Sequence, residues 1–536
     1  MTNARAALSQ TAFLVLGATG LTWFFACGSS QFGDGANNAG GDASDESNSI
    51  NGGRADAARP PTHAPASLTF RDEDPVKGSA SGSLKIGKAP DESDVTSYKL
   101  YWGGAGGARL ASIATLPKSG MDLAYALAAP IPAGATDLLV FSANEAGEMG
   151  TGPSAAIGDN FPAFADVSAG QDAGAGYYIS AAVDVAGGKV IVATDNAANA
   201  EKPAAFRCNL DGTGCTYVDI SAGQGANSGS LPSAAIDKAN GKLLVATTDG
   251  SNIYRPGLFV CNVDGTACVH RDISLAQGSH SGLFPSLVVD ALDGKVLVVT
   301  DNNANLDKPG LFRCNLDGTS CAYFDISAGQ GQYSGTSPSA VLDAVNSRFL
   351  VVTNNAANGQ KPGLFRCPDL DFVASCTYVD ISAGRGANSG GHPSAVIDAV
   401  AGKLLVVTDD DSDSASGVGH HLGLFRCNLD GSSCTYANIS AGQGAGSGTT
   451  PSAVIDAVNG KLLVATNNGA NGNKPSLFRC NLDGTACTHV DMSDGQNASS
   501  GFFPSAVIDA AHGRVLIATT NIAALYKPSL FSLGLW

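Results

Sequence analysis

An all-β fold is predicted for this 536-residue chain: a seven-bladed β-propeller of repeats of about 53 residues, closed by strands from both of its ends and preceded by a small β-sandwich. Three observations carry that expectation. The sequence repeats itself from Asp166 onward, in units that begin at Asp166, Asp219, Asp272, Asp325, Asp380, Asn438 and Asp491, and a period of this length fixes the architecture before any local reading. Each unit holds four short runs of Val, Leu, Ile, Phe, Tyr and Thr without helical periodicity: PSAVID, GKLLVVT, PGLFRCN and CTYVDIS in their commonest forms. The last unit stops after its third run, and the missing fourth is found ahead of the first unit, in Phe161–Ser168.

The elements follow in chain order. Residues 1–26 read as an export signal: Arg5 lies in a short polar start, Ala12–Ala26 is mostly apolar and carries no acid, and the run is too short for a comfortable membrane span. Residues 27–66 are Gly, Ala, Ser, Asn, Asp and Pro with almost nothing large and apolar, the composition of a disordered tether that cannot bury enough surface to order itself. Residues 67–159 change to alternating runs such as SGSLKIGK, SDVTSYKLYWGG and TDLLVFSANEAGE between turn residues, as antiparallel strands of one small sandwich do. Residues 160–536 form the propeller.

Cysteine usage supports this layout. Six close pairs, Cys208/Cys215, Cys261/Cys268, Cys314/Cys321, Cys367/Cys376, Cys427/Cys434 and Cys480/Cys487, each flank a short bend, typically Asp-Gly as in CNLDGTGC, so that the two strands of a hairpin carry one cysteine each. Zinc ligands come two to four residues apart with a second pair or histidines nearby, so disulfides are expected, and with them an oxidising compartment. A blade whose third and fourth strands come from opposite ends has no such hairpin, which is why six pairs serve seven units.

Some segments resemble known families. Phe24-Phe25-Ala26-Cys27-Gly28 resembles the lipobox of bacterial lipoproteins, with Phe24 where that family usually has Leu. The resemblance implies lipidation at Cys27, and Gly28 after it implies sorting to the outer membrane or cell surface. Ser97–Trp102 with Leu139–Asn144 resembles the central strands of fibronectin type III domains, modules that commonly act as spacers or binding platforms. The repeated Asn-Leu-Asp-Gly-Thr-x-Cys turn resembles the Asp-box of sialidase-type propellers, a structural turn that imports no activity.

Function is sought where the repeats differ. A formal charge of −17 without a basic stripe excludes nucleic acid as a partner, and a monomer is expected. The loops rich in Asn, Gly, Gln and Ser share one face of a four-stranded propeller and make it the candidate surface, although the same residues are what tight turns require. Just before the first run of each unit a pair of residues varies: Tyr177-Tyr178, Ser230-Leu231, Leu283-Phe284, Thr336-Ser337, Gly391-His392, Thr449-Thr450 and Phe502-Phe503. Tyr178, Phe284, His392 and Phe503 from these pairs, with Arg385 where other units carry Gln, are the ligand-binding candidates; filling gaps between blades is the competing role. Alternate Asp409, Asp411 and Asp413 match the opening of a calcium loop, but His420 stands where a bidentate Glu belongs, so a solvated acidic insertion competes with calcium. No HExxH, GxSxG or GxxxxGK[ST] pattern is present. Arg207, Arg313, Arg366, Arg426 and Arg479 recur beside the cysteines, as repeated packing does. The expected function is therefore a surface-anchored binding or adhesion module for carbohydrate or protein ligands. The alternatives are a propeller glycosidase or lyase using Arg385, His392 and the acids of the fifth unit, and a structural surface or matrix protein.

Overall fold

The computed structural model describes residues 59–367, 376–412, 419–440 and 442–535. The proposed signal, Cys27 and all but the end of the tether lie outside the described residues, as does Asp413. Regular structure among the described residues is β-strand, with only short 3-10 turns between strands.

Seven four-stranded antiparallel sheets follow one another from Ala163 to Gly534 among the described residues. The first is Tyr177–Asp184, Lys189–Asn196, Lys202–Asn209 and Thr216–Asp219. The second strand of each sheet is a continuous buried run, such as Lys295–Asn302, because sheets pack against both of its faces. One apolar cluster joins Leu297, Val299 and Leu311 of the third sheet to Phe349, Val351 and Phe365 of the fourth. Another joins Ala181 and Phe206 of the first sheet to Leu516, Ala518 and Leu530 of the last.

The last sheet is built from both ends of this region. Phe502–Asp509, Arg514–Asn521 and Lys527–Gly534 take Ala163–Asp166 as their fourth strand, in the register Ser529↔Asp166, Leu530↔Ala165, Phe531↔Phe164 and Ser532↔Ala163. A serine on each first strand accepts a hydrogen bond from the backbone N–H of the next sheet's first strand. Ser180, Ser233, Ser286, Ser339, Ser394 and Ser452 thus bond Ala234, Leu287, Ala340, Ala395, Ala453 and Ala506 at 2.9–3.0 Å. Ser505 of the last sheet does the same to Ala181 of the first, at 2.9 Å. The chain is a β-propeller protein.

The six expected disulfides are present: Cys208–Cys215, Cys261–Cys268, Cys314–Cys321, Cys367–Cys376, Cys427–Cys434 and Cys480–Cys487. Zinc coordination by these pairs is thereby replaced by covalent closure, the chemistry of an exported protein. The placement of the second member of each pair corrects the sequence reading, which put it inside the fourth strand as the first residue of CTYVDIS. Cys215, Cys268, Cys321, Cys376, Cys434 and Cys487 instead stand one residue ahead of the fourth strands, which open at Thr216, Val269, Ala322, Thr377, Thr435 and Thr488. These six are half-buried, whereas Cys208, Cys261, Cys314, Cys367, Cys427 and Cys480 are fully buried in the third strands. The reason is the turn. Backbone pairing ends at Arg207↔Thr216, and beyond it the Asn209 amide is taken by the Thr213 carbonyl inside the bend. The next step of the ladder, Cys208 opposite Cys215, is therefore held by sulfur and not by main-chain bonds; the bond inside the bend recurs at Asn262, Asn315, Asn428 and Asn481, and in the Cys367–Cys376 hairpin pairing likewise ends one step before the cysteines, at Arg366↔Thr377. Among the described residues no helix is long and apolar enough to cross a membrane.

Residues 67–156 form two further sheets, Ser67–Thr69/Ser79–Gly87/Leu123–Pro130 and a five-stranded one around Ser97–Gly104 and Ala135–Asn144. The two runs singled out in the sequence pair directly, Tyr98 opposite Ser142 and Leu100 opposite Val140. Leu84, Ile86, Tyr98, Leu100, Trp102, Leu138 and Val140 fill the space between the sheets. The join to the propeller is polar: Asn160 Oδ1 accepts from the Gly534 amide at 2.9 Å, and the Asn160 amide donates to Asp72 at 3.0 Å.

Candidate functional site

The variable pairs sit in the first strand of each sheet, where the pairing is interrupted. The first member faces the end of the second strand, as Leu283 faces Asp301, and pairing resumes only at Ser286. The second member has a left-handed backbone in every sheet: φ is 40° at Tyr178, 51° at Leu231, 47° at Phe284, 48° at Ser337, 41° at His392, 47° at Thr450 and 48° at Phe503. Bulky L-residues rarely adopt that conformation, and its cost must be met by the surrounding pairing. The bulge turns these side chains off the sheet.

All seven meet at one cavity of about 350 Å³, lined by Tyr178, Leu231, Phe284, Ser337, His392, Thr450 and Phe503 together with Ile179 or the proline that follows each of them. Because the walls are the same position of every sheet, the cavity lies on the axis around which the sheets are arranged. Tyr178 and Phe503 touch, with ring centroids 4.6 Å apart. Behind them Tyr177 stacks on Tyr526 at 4.3 Å, from the loop of the last sheet. Phe284 is 42% exposed, high for a large aromatic side chain. Four of the five ligand-binding candidates are thus brought together at one cavity.

Arg385, the fifth candidate, is not among the residues lining the cavity. Its Nη2 lies 3.3 Å from Asp410 and 2.8 Å from the Ser412 hydroxyl, and its guanidinium sits 4.3 Å from the Tyr436 ring centroid. It holds its own sheet's loop. His392 does line the cavity, with Nδ1 3.9 Å from Asp409. The other oxygen of Asp409 bonds His420 Nδ1 at 2.8 Å. Burial would lower the His420 pKa, but that bond and the charges of Asp409 and Asp411 outweigh it and hold the imidazolium above its ordinary range. Among the described residues no group of three or more His, Cys, Asp or Glu is arranged to hold a metal ion.

The Asn-rich loops prove to be occupied with their own turns. Asn196 caps the turn by accepting from the Asn199 amide, and Asn199 donates to Asp219. Asn252, Asn305, Asn358 and Asn471 repeat that bond to Asp272, Asp325, Asp380 and Asp491 at 2.7–2.9 Å. Burial would raise the Asp272 pKa, yet bonds from Ser274 and Asn252 outweigh it and hold the carboxyl below its usual range.

Sequence reasoning missed a second set of symmetry-breaking positions. After a threonine common to all seven, the second strands carry Asp195, Thr248, Asp301, Asn354, Asp409, Asn467 and Thr520, one residue before they end. Asp195 and Asp301 are buried, each with an Oδ1 that has no hydrogen-bond partner among the described residues. Burial, then the charge of Glu201, pushes the Asp195 pKa up to about 7. Burial and the adjoining Asp307 carboxyl push Asp301 up to about 8. The signal was available: the residue after that threonine varies while the threonine does not.

The sequence matches no protein-family model and no curated protein. Solved structures resemble it distantly. The NanB sialidase from Streptococcus pneumoniae is 12% identical, with 85% of this chain and 84% of that one covered and a TM-score of 0.39. The β-propeller domain of the Trilobed protease from Pyrococcus furiosus is 11% identical, with 66% and 92% covered and a TM-score of 0.39. The catalytic domain of the GH62 α-L-arabinofuranosidase from Coprinopsis cinerea is 14% identical, with 47% and 90% covered and a TM-score of 0.29. Nothing about activity is taken from likenesses this distant.

Proposed function

We propose that this protein is an exported, surface-anchored binding module whose ligand site is the axial cavity of a seven-bladed ring. One observation supports this above all: the positions at which near-identical repeats differ most converge, from all seven sheets, on a single cavity. A scaffold that only had to be stable would repeat its residues there, as it repeats its disulfides and serine bonds. Aromatic rings around a concave site with few polar groups, here exposed Phe284 and half-buried Tyr178 and Phe503, are the usual make-up of a ligand pocket. On this reading the fibronectin III-like sandwich is a spacer, the tether and a lipid at Cys27 hold the module at a membrane, and the fold works as a monomer.

The test is a ligand screen by thermal shift on the intact chain beside Phe284→Ala and Phe503→Ala. A ligand that raises the parent midpoint saturably and leaves both variants unshifted is the expected result. A ligand that shifts all three equally places the site elsewhere. No saturable ligand from glycan and protein libraries would favour a structural surface or matrix role.

A glycosidase is the second reading, and Asp195 and Asp301 favour it, because carboxyls held protonated near neutrality are what general acids require. They are nearly enclosed, however, and none of the cavity-lining residues is acidic. Hydrolysis of a glycan panel that is lost in Asp301→Asn would establish it over simple binding.

A further inference from the structure

The cavity wall is not uniform, and its asymmetry follows the order of the sheets. Taken around the axis, the seventh, first, second and third sheets contribute Phe503, Tyr178, Leu231 and Phe284, and the fourth, fifth and sixth contribute Ser337, His392 and Thr450. The first members of the pairs follow the division in part: Phe502, Tyr177 and Leu283 lie on the apolar side and Thr336, Gly391 and Thr449 opposite, with Ser230 as the exception. Each kind of residue occupies one unbroken arc.

The two arcs ask for different things. Tyr178 and Phe503, in contact at 4.6 Å with their planes tilted by 47°, present two adjoining aromatic surfaces on which a weakly polar face can rest. The opposite arc offers the Ser337 hydroxyl and the His392 imidazole. His392 has its Nδ1 toward Asp409, which leaves Nε2 for a ligand, and its side chain is 55% exposed. Thr450 also lines this arc, but its Oγ1 is buried away from the opening, so the arc's accessible polar groups are those of Ser337 and His392. No arginine, lysine, aspartate or glutamate lines the cavity. A ligand carboxylate or phosphate would find no counter-charge there, and the chain's net charge of −17 opposes its approach.

Resting on the reading of this cavity as the binding site, we infer that it takes an uncharged sugar ring at the end of a glycan, with its C–H face on the side of Tyr178 and Phe503 and its hydroxyl edge toward Ser337 and His392. A pyranose is a small rigid ring with an apolar face and a polar rim, which is the division the cavity makes. An axial opening bounded by all seven sheets receives a chain end more readily than a chain interior, because an interior residue must leave in two directions. A peptide aromatic side chain would use the stacking wall and leave the polar arc unpaired.

The test is titration of the intact chain, followed by saturation-transfer NMR and calorimetry, with three kinds of probe: methyl glucopyranoside, methyl galactopyranoside and lactose; 3′-sialyllactose and methyl glucuronide; and N-acetyltryptophanamide. Saturable binding of a neutral glycoside is expected, weakened about tenfold in Phe503→Ala and in His392→Ala, with saturation transferred most strongly to the C–H protons of one ring face. The half-exposed His392 keeps the test open if Phe503→Ala unfolds. Preference for the acidic sugars, or binding of the tryptophan amide alone, with either variant weakening it, would overturn the neutral-sugar inference and leave the cavity as the site. Binding unaffected by both variants, or no binding by any probe, would overturn both.

Discussion

Asp195 and Asp301 are the residues at which this repeat protein departs most from neutral, well-paired burial. Their folded-state carboxyls hold a proton up to about 7 and about 8, whereas an unfolded aspartate releases it near pH 4. The folded state therefore binds those protons more tightly. The stability this contributes is complete below about pH 4 and is lost as pH rises through 7 and 8. The turn aspartates, typified by Asp272, act in the opposite sense and lose their contribution only in acid. Asn354 and Asn467 occupy the equivalent strand position in other sheets, so asparagine is compatible with the site. The Asp195→Asn/Asp301→Asn protein should unfold at higher urea than the parent at pH 9, by ~1–3 kcal/mol, and match it more closely at pH 5. Parallel pH profiles for the two proteins would locate the titration elsewhere.

At the scale of the element, the hairpin carrying a disulfide is the repeating device. Cys314–Cys321 closes a loop over a sequence separation of 7. Restricting so short a loop in the unfolded chain stabilises by about 2–3 kcal/mol, so Cys314→Ser/Cys321→Ser should lower the denaturation midpoint by that amount at unchanged slope, and an unchanged midpoint would mean the turn alone suffices. The turn is well made without sulfur: Asp317 accepts from the Thr319 amide and hydroxyl, and Gly318 takes φ of 75°. Pairs, spacing and turn chemistry were all legible in the sequence because they are local. The end of the ladder was not, since Cys321 reads as part of a β-rich run until the register shows pairing to stop at Arg313↔Ala322. The bulge at the start of each first strand was equally hidden. Two adjacent variable residues look alike in a sequence, and only the interrupted register shows that Leu283 stays in the ladder while Phe284 leaves it.

At the scale of the whole molecule the seam between the two chain ends, inside the last sheet, carries the closure. Phe531, fully buried, packs beside Phe164 with ring centroids 5.4 Å apart. Phe531→Ala should cost ~3–5 kcal/mol, as a full-sized cavity does, and as much as Phe312→Ala inside an ordinary sheet if the seam is equally tight. Deleting residues 528–536 removes the strand that pairs with Ala163–Asp166 and the partner of Asn160. A broadened, earlier thermal transition is expected; a truncated chain that melts like the parent would show that the seam contributes nothing. The polar join through Asp72 and Asn160 to Gly534 ties the sandwich to this same seam, so damage there should also loosen the sandwich, seen as faster amide exchange in residues 67–156.

The sequence by itself determined the repeat, the strands, the disulfides and the two-ended last sheet, because each is a local pattern copied along the chain or matched at its ends. It also marked the residues that differ between copies. Only the tertiary structure decided what those differences do, since neighbours around an axis are some fifty residues apart in sequence. It put Tyr178, Phe284, His392 and Phe503 around one cavity, sent Arg385 to its own loop, and set buried Asp195 and Asp301 within two sheets. Strand propensity and turn chemistry are short-ranged. The meeting of seven first strands is set by packing between sheets, which no single repeat contains.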